Sequence, residues 1–442
     1  MNFKVIKEVK PKSLKMNNIQ DLNIKNEVLP IFDYSLNYFT KNKILELLQT
    51  PLISENQIIE RQTILKGFAL NINVLKSYSY TVLYVNEVHF FLNNFKAENF
   101  KKKIFIFSSL TTDEILLNNK IHQLVLFFHR LESVCFSRLN LKYFPEAYRR
   151  DLNQILAFLS FFELKKYEAI IREKQLKRKH VKELLSKISK LKEGNKIEIF
   201  WEDLFLFESY LSINKAIINN EFVFPTFKKR GISLIDFYHP LIKNPVKNSF
   251  TASNNVIVLN GPNMSGKSTF LKSVSLCIYL GNLGLAIPAS QGIIPFFTDF
   301  SVGINKRDDI LGGYSHFMTE IMNLKNVVVK AAEGKSCFAV FDELFSGTNV
   351  EDALEICRTT INGVSMYTSS FFFISTHIQE LKNLTNSNIS TFYLDCELIN
   401  SSPTFTYKLK EGWSDIKVGR ILFEEVGLNK LLKFKNQVDD KI

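Results

Sequence analysis

The chain has 442 residues and a formal net charge of +12, and 46% of its residues are hydrophobic while 23% are charged. This composition is typical of a folded globular protein, which excludes a disordered chain, and the length predicts two or three domains. The beginning, MNFKVIKEVK, has no hydrophobic signal core, and apolar runs such as Ile155–Phe162 are too short to span a bilayer, so we expect a protein that is neither secreted nor membrane-spanning.

The cysteines indicate a reducing environment. None of them forms a Cys-x-x-Cys pair, and most lie in apolar or helical segments. Their positions are Cys135, Cys277, Cys337, Cys357 and Cys396. We therefore expect reduced, mostly buried thiols in a cytoplasmic protein rather than a disulfide scaffold.

Positive charge and glycine are concentrated in opposite parts of the chain. Residues 1–240 contain 37 basic and 25 acidic residues, whereas residues 241–442 contain 19 of each. Ten of the 17 glycines lie between residues 251 and 350. This distribution predicts a helical, basic part followed by a neutral α/β part whose glycine loops approach a ligand closely.

The first part predicts an all-α domain over residues 31–234, preceded by a polar segment, 1–30, that is a loose arm or a small docking element. Apolar residues recur at helical spacing in successive segments, and the few prolines fall between them. These segments are 42–48, 54–75, 78–98, 112–137 and 146–163.

Residues 164–193 stand apart because they contain 11 lysines and arginines and no glycine or proline. They predict one long exposed helix. One interpretation is a solvated helix face that binds nothing, and the other is contact with a nucleic-acid phosphate backbone. The candidate DNA-contacting residues are Arg172, Lys174, Lys177, Arg178, Lys179 and Lys182.

After about residue 235, short β-branched or aromatic runs alternate with amphipathic helices, which predicts a largely parallel sheet flanked by helices. The predicted strands are Val256–Asn260, Cys337–Phe341, Phe371–Ser375, Thr391–Leu394 and Phe405–Leu409. The predicted fold class is therefore a multi-domain chain, with an all-α domain followed by an α/β domain over 235–435 and a tail at 436–442.

A glycine-rich loop joins the first of these strands to an amphipathic stretch. Residues 261–268 read GPNMSGKS and fit the phosphate-loop motif G-x-x-x-x-G-K-[ST]. The loop follows a predicted strand and precedes a predicted helix, and this context argues against a chance match. Gly261 and Gly266 let the backbone wrap a phosphate, while Lys267 places a cation on the β- and γ-phosphates. The Ser268 hydroxyl can ligate magnesium. The predicted ATP-binding residues of the loop are Gly261, Pro262, Asn263, Met264, Ser265, Gly266, Lys267, Ser268 and Thr269.

Two further strands end in polar residues suited to nucleotide hydrolysis. Cys337–Phe341 is followed by Asp342, placed to hold Mg²⁺ through its water, and by Glu343, placed to orient or deprotonate the attacking water. A surface acidic pair is the alternative. Phe371–Ser375 leads to His377, which we interpret as a sensor of the γ-phosphate or the water rather than as a structural histidine.

Taken in order, these motifs resemble the MutS family of DNA mismatch repair ATPases, within the wider ABC-type ATPase group. The similarity spans about residues 35–435, with the most specific motifs in the second half. The similar segments are PLISENQIIERQ (51–62), YHP (238–240), GPNMSGKST (261–269), Asp308-Asp309, SHFMTE (315–320), DELFSGTN (342–349), STHIQEL (375–381) and EGWSDIKVGRILFEEVGL (411–428).

The resemblance implies further roles. Asn263 would meet the γ-phosphate, and Phe250 and Tyr407 would sandwich the adenine, with ordinary core packing as the alternative for both. The signature segment with Ser315, Phe317 and Glu320 would reach the ATP of a second subunit, so a homodimer would complete two shared sites. Residues 414–432 would help to clasp the partner.

The sequence also departs from the family pattern. Phe345 and Ser346 replace a Gly-Arg pair, Tyr314 stands where arginine often precedes the signature serine, and the stretch from Gly303 to Asp308 is about two residues longer. We expect no mismatch-reading domain before the helical core, no endonuclease after the ATPase domain, and at most a reduced DNA clamp at 164–193.

Three functions compete. The first is a dimeric, Mg²⁺-dependent ATPase switch that binds DNA in repair or recombination. The second is a nucleotide-gated scaffold for protein partners without a DNA role. The third, a transport ATPase, is disfavoured because we expect no membrane segment and the helical domain is fused to the ATPase domain.

Overall fold

In a computed structural model, the described residues are 19–95, 112–304, 316–345, 347–384, 388–399, 402–416, 418–429 and 431–432. The chain divides into two compact units. The helical unit consists of Phe32–Leu47 and Glu60–Asn219, and the sheet unit consists of Met1–Ile31, Leu48–Ile59 and Asn220–Ile442.

Among the described residues up to Asn219, the regular structure is helical. Short turns at Gln20–Leu22 and Ile24–Val28 come first, and others occupy Leu131–Cys135, Phe136–Arg138 and Leu141–Tyr143. The α-helices are α1 Leu29–Phe32, α2 Tyr38–Gln49, α3 Glu55–Leu70, α4 Ile72–Leu75, α5 Val82–Asn93, α6 Thr112–Arg130, α7 Glu146–Ser160, α8 Leu164–Arg172, α9 Arg178–Glu193 and α10 Lys196–Asn219.

The core of the helical unit is built around α10, which is buried on most of its faces. Phe158 of α7 stacks on Phe200 of α10 with ring centroids 4.0 Å apart, and Phe128 of α6 meets the same ring at 5.3 Å. Such aromatic contacts add to the stabilisation from apolar burial. The expected helical domain is therefore present.

The expectation of one long helix over 164–193 is wrong. The chain breaks between α8 and α9, where Lys174 has a left-handed backbone with φ of 57°. Helix α9 is amphipathic rather than fully exposed, because its apolar residues recur at helical spacing and are buried. The side chains of Arg172, Lys174, Lys177, Arg178, Lys179 and Lys182 are all exposed.

Strands alternate with helices after residue 220. The strands are β1 Thr226–Phe227, β2 Ile232–Phe237, β3 Asn248–Ala252, β4 Val256–Asn260, β5 Gln291–Ile294, β6 Asp299–Gly303, β7 Cys337–Phe341, β8 Phe371–Ser375, β9 Ile389–Ile399 and β10 Ser402–Glu411. The helices are α11 Lys267–Asn282, α12 His316–Ala332, α13 Val350–Val364 and α14 Val418–Glu425, with a 3-10 turn at Gln379–Asn383.

The larger sheet has the strand order β10-β9-β4-β8-β7-β6. Its pairs are parallel except for the antiparallel hairpin β9–β10, so the expected largely parallel sheet is confirmed. Strands β4, β7 and β8 have the predicted bounds and are buried along their whole length. Since they run parallel side by side, their carboxyl ends meet at one edge of the sheet.

A second sheet, with the order β1-β5-β2-β3, was not predicted. It contains strands that begin before residue 235, and the last and longest segment of the sheet unit accordingly begins at Asn220. Leu48 belongs to the same unit, where its carbonyl accepts a hydrogen bond of 2.6 Å from Tyr279.

The described part of the expected N-terminal arm is packed. Leu22, Val28 and Leu29 are buried, and the Asp21 carboxylate accepts a hydrogen bond of 2.8 Å from the backbone N–H of Ile304. The arm is therefore part of the sheet unit over residues 19–31.

The structure also shows the state of the cysteines and the length and polarity of the helices. All five cysteines are buried and unpaired, as expected. Over the described ranges, every helix is too short or too polar to cross a lipid bilayer.

Candidate nucleotide-binding site

The loop between β4 and α11 requires glycine at two positions. Gly261 has φ of 144°, and a Cβ there would lie 3.0 Å from Ser265 Oγ and 3.2 Å from the Leu394 carbonyl oxygen. Gly266 has φ of 96°, and its Cβ would lie 3.2 Å from the Tyr407 ring. Both backbones occupy a region that favours glycine. The loop thus curls tightly and leads into the N-terminus of a helix of four turns, which is suited to an anion.

The Lys267 side chain lies across this loop. It is only 5% exposed, and its Nζ donates hydrogen bonds to the carbonyl oxygens of Gly261 at 2.9 Å and Pro262 at 3.1 Å. Burial lowers the pKa of the ammonium group, while the carboxylates of Glu343 and Asp342 oppose that shift. A cation is therefore held where the loop would surround a phosphate.

The remaining loop residues differ in exposure. Asn263, Met264, Ser268 and Thr269 are exposed, Pro262 is half-buried and Ser265 is fully buried. The Ser265 hydroxyl is buried and has no hydrogen-bond partner among the described residues. A buried hydroxyl without a partner is costly, so this atom is available to an acceptor or donor entering the loop.

Asp342, at the end of β7, meets Ser268 at the start of α11. The Ser268 hydroxyl donates to Asp342 Oδ2 at 2.5 Å, and the Ser375 hydroxyl donates to Oδ1 of the same carboxylate. A hydroxyl and a carboxylate are oxygen donors of the kind that Mg²⁺ prefers. These two side chains would supply only part of the coordination shell of such an ion. Within the described ranges, no group of three or more His, Cys, Asp or Glu could hold a metal.

Glu343 and His377 come together from neighbouring strand ends. His377 Nδ1 lies 3.7 Å from Glu343 Oε1, with both side chains partly exposed. The backbone N–H of Glu343 donates to the Ser375 hydroxyl at 2.7 Å, and Glu343 has a left-handed backbone with φ of 53°. Its carboxylate is therefore partly exposed beside His377, and it lies near enough to Lys267 to oppose the lowering of that group's pKa.

Ser375 was missed as a site residue by the sequence analysis. It is the last residue of the predicted strand β8, and a polar residue ending an otherwise apolar run was the available signal. Its hydroxyl hydrogen-bonds both the Asp342 carboxylate and the Glu343 backbone, so it orients a predicted magnesium ligand and a predicted catalytic residue.

A cavity of about 360 Å³ lies beside the loop. Tyr407 lines this cavity and is 46% exposed. The register of the β9–β10 hairpin shifts between Phe405 and Leu409, so Tyr407 lies in an irregular part of the hairpin. Asn248 holds this irregularity, since it donates to the Tyr407 carbonyl at 2.9 Å and accepts from the Leu409 N–H at 2.8 Å. Tyr238, Pro245 and Val246 also line the cavity.

The expectation that Phe250 stacks on adenine is not met. Phe250 is buried, and its ring contacts the aromatic rings of Phe237, Phe270, Phe373 and Phe392. Successive side chains of a strand point to opposite faces, and Phe250 lies on the face of β3 that packs against the core. The alternative of ordinary core packing is therefore correct for this residue.

The signature segment is described only in part. Ser315 lies outside the described residues, as do Asp308, Asp309, Tyr314 and Ser346. Phe317 and Glu320 lie near the start of α12 and contact the loop after β7 in the same chain. The Phe317 and Phe345 ring centroids are 5.8 Å apart, and the Phe345 N–H donates to Glu320 Oε2 at 3.0 Å.

The geometry defines a class of protein. A glycine loop with a buried lysine links a central parallel strand to a helix, and a serine–aspartate pair lies at the same sheet edge. This arrangement is that of a P-loop nucleotide-binding domain.

Comparison with known proteins is more specific. Residues 257–431 match the family model of MutS domain V. The chain is 28% identical over 211 residues to the DNA mismatch repair protein MutS of Bacillus subtilis, covering 46% of this chain and 24% of that protein. It is 27% identical over 273 residues to that of Bacillus licheniformis, covering 58% and 31%, and 26% identical over 309 residues to that of Bacillus thuringiensis, covering 64% and 33%.

The C-terminal part of the chain is therefore MutS-like, which confirms the resemblance found in its motifs. The chain spans between a quarter and a third of the length of these curated relatives.

Proposed function

We propose that this protein hydrolyses ATP to ADP and phosphate with Mg²⁺, using an ABC-type ATPase domain. The observation that carries the proposal is the hydrogen bond between Ser268 and Asp342 at the mouth of a phosphate loop that already holds a buried lysine. A hydroxyl and a carboxylate so close together are the two protein ligands that a nucleotide-bound magnesium ion requires.

Each group has a role in this reaction. Lys267 and the loop N–H groups bind the β- and γ-phosphates, and Asn263 reaches the γ-phosphate from the exposed rim of the loop. Glu343 accepts a proton from the attacking water, and His377 hydrogen-bonds that water or the γ-phosphate. Ser268 and Asp342 would hold a magnesium ion, which would supply positive charge opposite the phosphates as their negative charge develops.

The ATPase is proposed to act as a homodimer in which the Ser315 segment completes the partner's site. Exposed apolar side chains in and after α14 support a contact surface there, since large apolar groups in one exposed segment favour association. These side chains are Phe423, Val426, Leu428, Leu431 and Leu432. ATP binding would close the dimer, and hydrolysis would reopen it.

DNA is the proposed macromolecular partner, and repair or recombination in the cytoplasm is the proposed setting. The similarity to DNA mismatch repair proteins supports this proposal, as do the six exposed basic residues around the α8–α9 turn. DNA binding that rests on such charges depends strongly on salt. No mismatch-reading role is assigned to this chain.

The test is a combined hydrolysis and binding panel on the whole chain. We expect Mg²⁺-dependent phosphate release that Lys267→Ala abolishes together with tight nucleotide binding, while the exposed Lys229→Ala control retains both. Homoduplex, mismatched, branched and single-stranded DNA are then compared with and without ATP. Hydrolysis without DNA binding at low salt would favour the nucleotide-gated scaffold, and a strict monomer with non-hydrolysed ATP would contradict the shared-site dimer.

A further inference from the structure

The turn that carries Glu343 has an unusual backbone. Glu343 and Phe345 both have left-handed φ values, 53° and 59°, although neither is glycine. Such residues persist where surrounding contacts hold them in place. Ser375 supplies one of these contacts by accepting a hydrogen bond from the Glu343 N–H at 2.7 Å.

The second contact comes from helix α12. The Glu320 carboxylate accepts a hydrogen bond of 3.0 Å from the Phe345 N–H, two residues beyond Glu343. The Phe345 ring is buried and meets Phe317, which lies on the same face of α12 three residues before Glu320. Phe317 and Glu320, on one face of α12, thus contact the Phe345 side chain and backbone respectively.

The geometry points to Glu320 as a positioning residue that fixes Glu343 within its own subunit. This inference rests on the proposed ATP hydrolysis, and it differs from the expectation that the whole signature segment serves a partner's site. The carboxylate touches neither water nor nucleotide in this role. It holds the turn so that the Glu343 carboxylate stays beside Lys267 and Asp342, and small displacements of such a group are costly to a reaction.

The same contacts explain how phenylalanine is accommodated at position 345, where the backbone is left-handed. Glycine adopts a left-handed backbone without steric cost, whereas phenylalanine does not. Here the buried ring against Phe317 and the hydrogen bond to Glu320 stabilise that backbone. The unusual residue Phe345 is thus stabilised by its contacts with helix α12.

Two substitutions separate this role from a general structural one. Glu320→Ala removes the acceptor, and we expect kcat for ATP to fall about 10- to 100-fold while KM and nucleotide affinity change less than about threefold. Glu320→Gln keeps an acceptor oxygen, so we expect its kcat to stay within about threefold of the wild-type value. Equal losses in both variants, or none in Glu320→Ala, would overturn the inference.

Mixed dimers distinguish action within a subunit from action on the partner. If Glu320 serves its own subunit, mixing Glu320→Ala with Glu343→Gln chains leaves both sites of the mixed dimer impaired, and mixing raises the activity no higher than that of Glu320→Ala alone. If it serves the partner, the site that combines an intact Glu343 with an intact Glu320 recovers activity. Recovery on mixing would therefore refute the inference.

Hydrogen exchange supplies a readout that does not need hydrolysis. Without nucleotide, amide exchange in a peptide covering 341–349 should be faster in Glu320→Ala than in wild type and unchanged in Glu320→Gln. A wild-type protein without ATPase activity would sink the proposed function, whereas unchanged exchange in Glu320→Ala would sink this inference alone.

Discussion

The imidazole Nδ1 of His377 lies 3.7 Å from Oε1 of Glu343, although 34 positions separate the two residues in the chain. They meet because β7 and β8 are adjacent parallel strands that end at the same sheet edge. Both side chains remain partly exposed, so a water molecule can reach the space between them. This relationship is the basis for the first prediction.

Glu343→Gln should stop hydrolysis and trap ATP. The amide keeps the size of the side chain but cannot accept the proton of the attacking water, and general-base catalysis typically contributes about 10²- to 10⁴-fold. We expect single-turnover hydrolysis to slow by that factor while ATP affinity is unchanged or higher. Glu351→Gln, an exposed carboxylate in α13, is the control. Normal turnover in Glu343→Gln would remove Glu343 from the catalytic assignment.

Tyr407→Ala should weaken adenine nucleotide binding. Tyr407 is the exposed aromatic residue of the cavity beside Gly266, and stacking of a base on an aromatic ring contributes about 1–3 kcal/mol. We expect ATP affinity to fall about 5- to 100-fold, with binding of inorganic triphosphate unaffected.

Two variants serve as controls. Tyr407→Phe keeps the ring and should bind ATP nearly normally. Phe250→Leu should lower stability without a selective loss of ATP affinity, because Phe250 lies in the core. A loss in Phe250→Leu alone would reverse this assignment.

The phosphate site was predictable because its information is local in the sequence. The fully apolar runs of β4, β7 and β8 and the polar residues that follow them identify both the strands and the edge where they end. The orienting role of Ser375 was not predictable from its position, since it depends on the adjacency of β7 and β8.

Three features of the structure differ from what the sequence predicted, and each difference has a specific physical cause. The left-handed turn at Lys174 divides the basic segment without a glycine or proline to signal it. Phe250 has the residue type of an adenine-stacking group, but the pleat of β3 directs it inwards, and the chain gives no clue to that direction. The second sheet was missed because its strands are short and come from distant segments.

Asp203→Asn should stabilise the protein at alkaline pH. Burial, together with the neighbouring Asp151 and Glu202, raises the pKa of Asp203 to about 7, and its Oδ2 atom has no hydrogen-bond partner among the described residues. The folded state therefore holds a proton that the unfolded chain releases above about pH 4, so stability decreases as pH rises from about 4 to 7. The full shift corresponds to about 4 kcal/mol, and because the side chain is only about half buried, solvent screening reduces the expected gain to about 1–2 kcal/mol at pH 8.

Urea unfolding of the whole chain at several pH values measures this effect. The gain from Asp203→Asn should shrink as the pH falls and be lost below about pH 3, where the wild-type residue is largely protonated in both the folded and the unfolded state. The exposed Glu173→Gln serves as the matched control and should leave the pH dependence unchanged. Destabilisation by Asp203→Asn at pH 8 would show that the carboxylate is stabilised by contacts other than those described.

Charge reversal around the α8–α9 turn should weaken DNA binding. Arg172, Lys174, Lys177, Arg178 and Lys179 are exposed within a short stretch of chain, so they present closely spaced positive charges. Each phosphate contact that is lost lowers the slope of log affinity against log salt by about 0.9 for duplex DNA. We expect replacement of all five by glutamate to reduce affinity at low salt by at least about 100-fold and to flatten that slope, with ATP hydrolysis in the absence of DNA unchanged. Reversal of the exposed Lys76 and Lys142 is the control for charge reversal elsewhere in the same helical unit, and it is compared with reversal of only Lys177 and Lys179, which changes the net charge equally. If both variants lose affinity equally, the contact is not localised at this turn, and if neither does, the basic segment is a solvated helix face and the scaffold function is favoured.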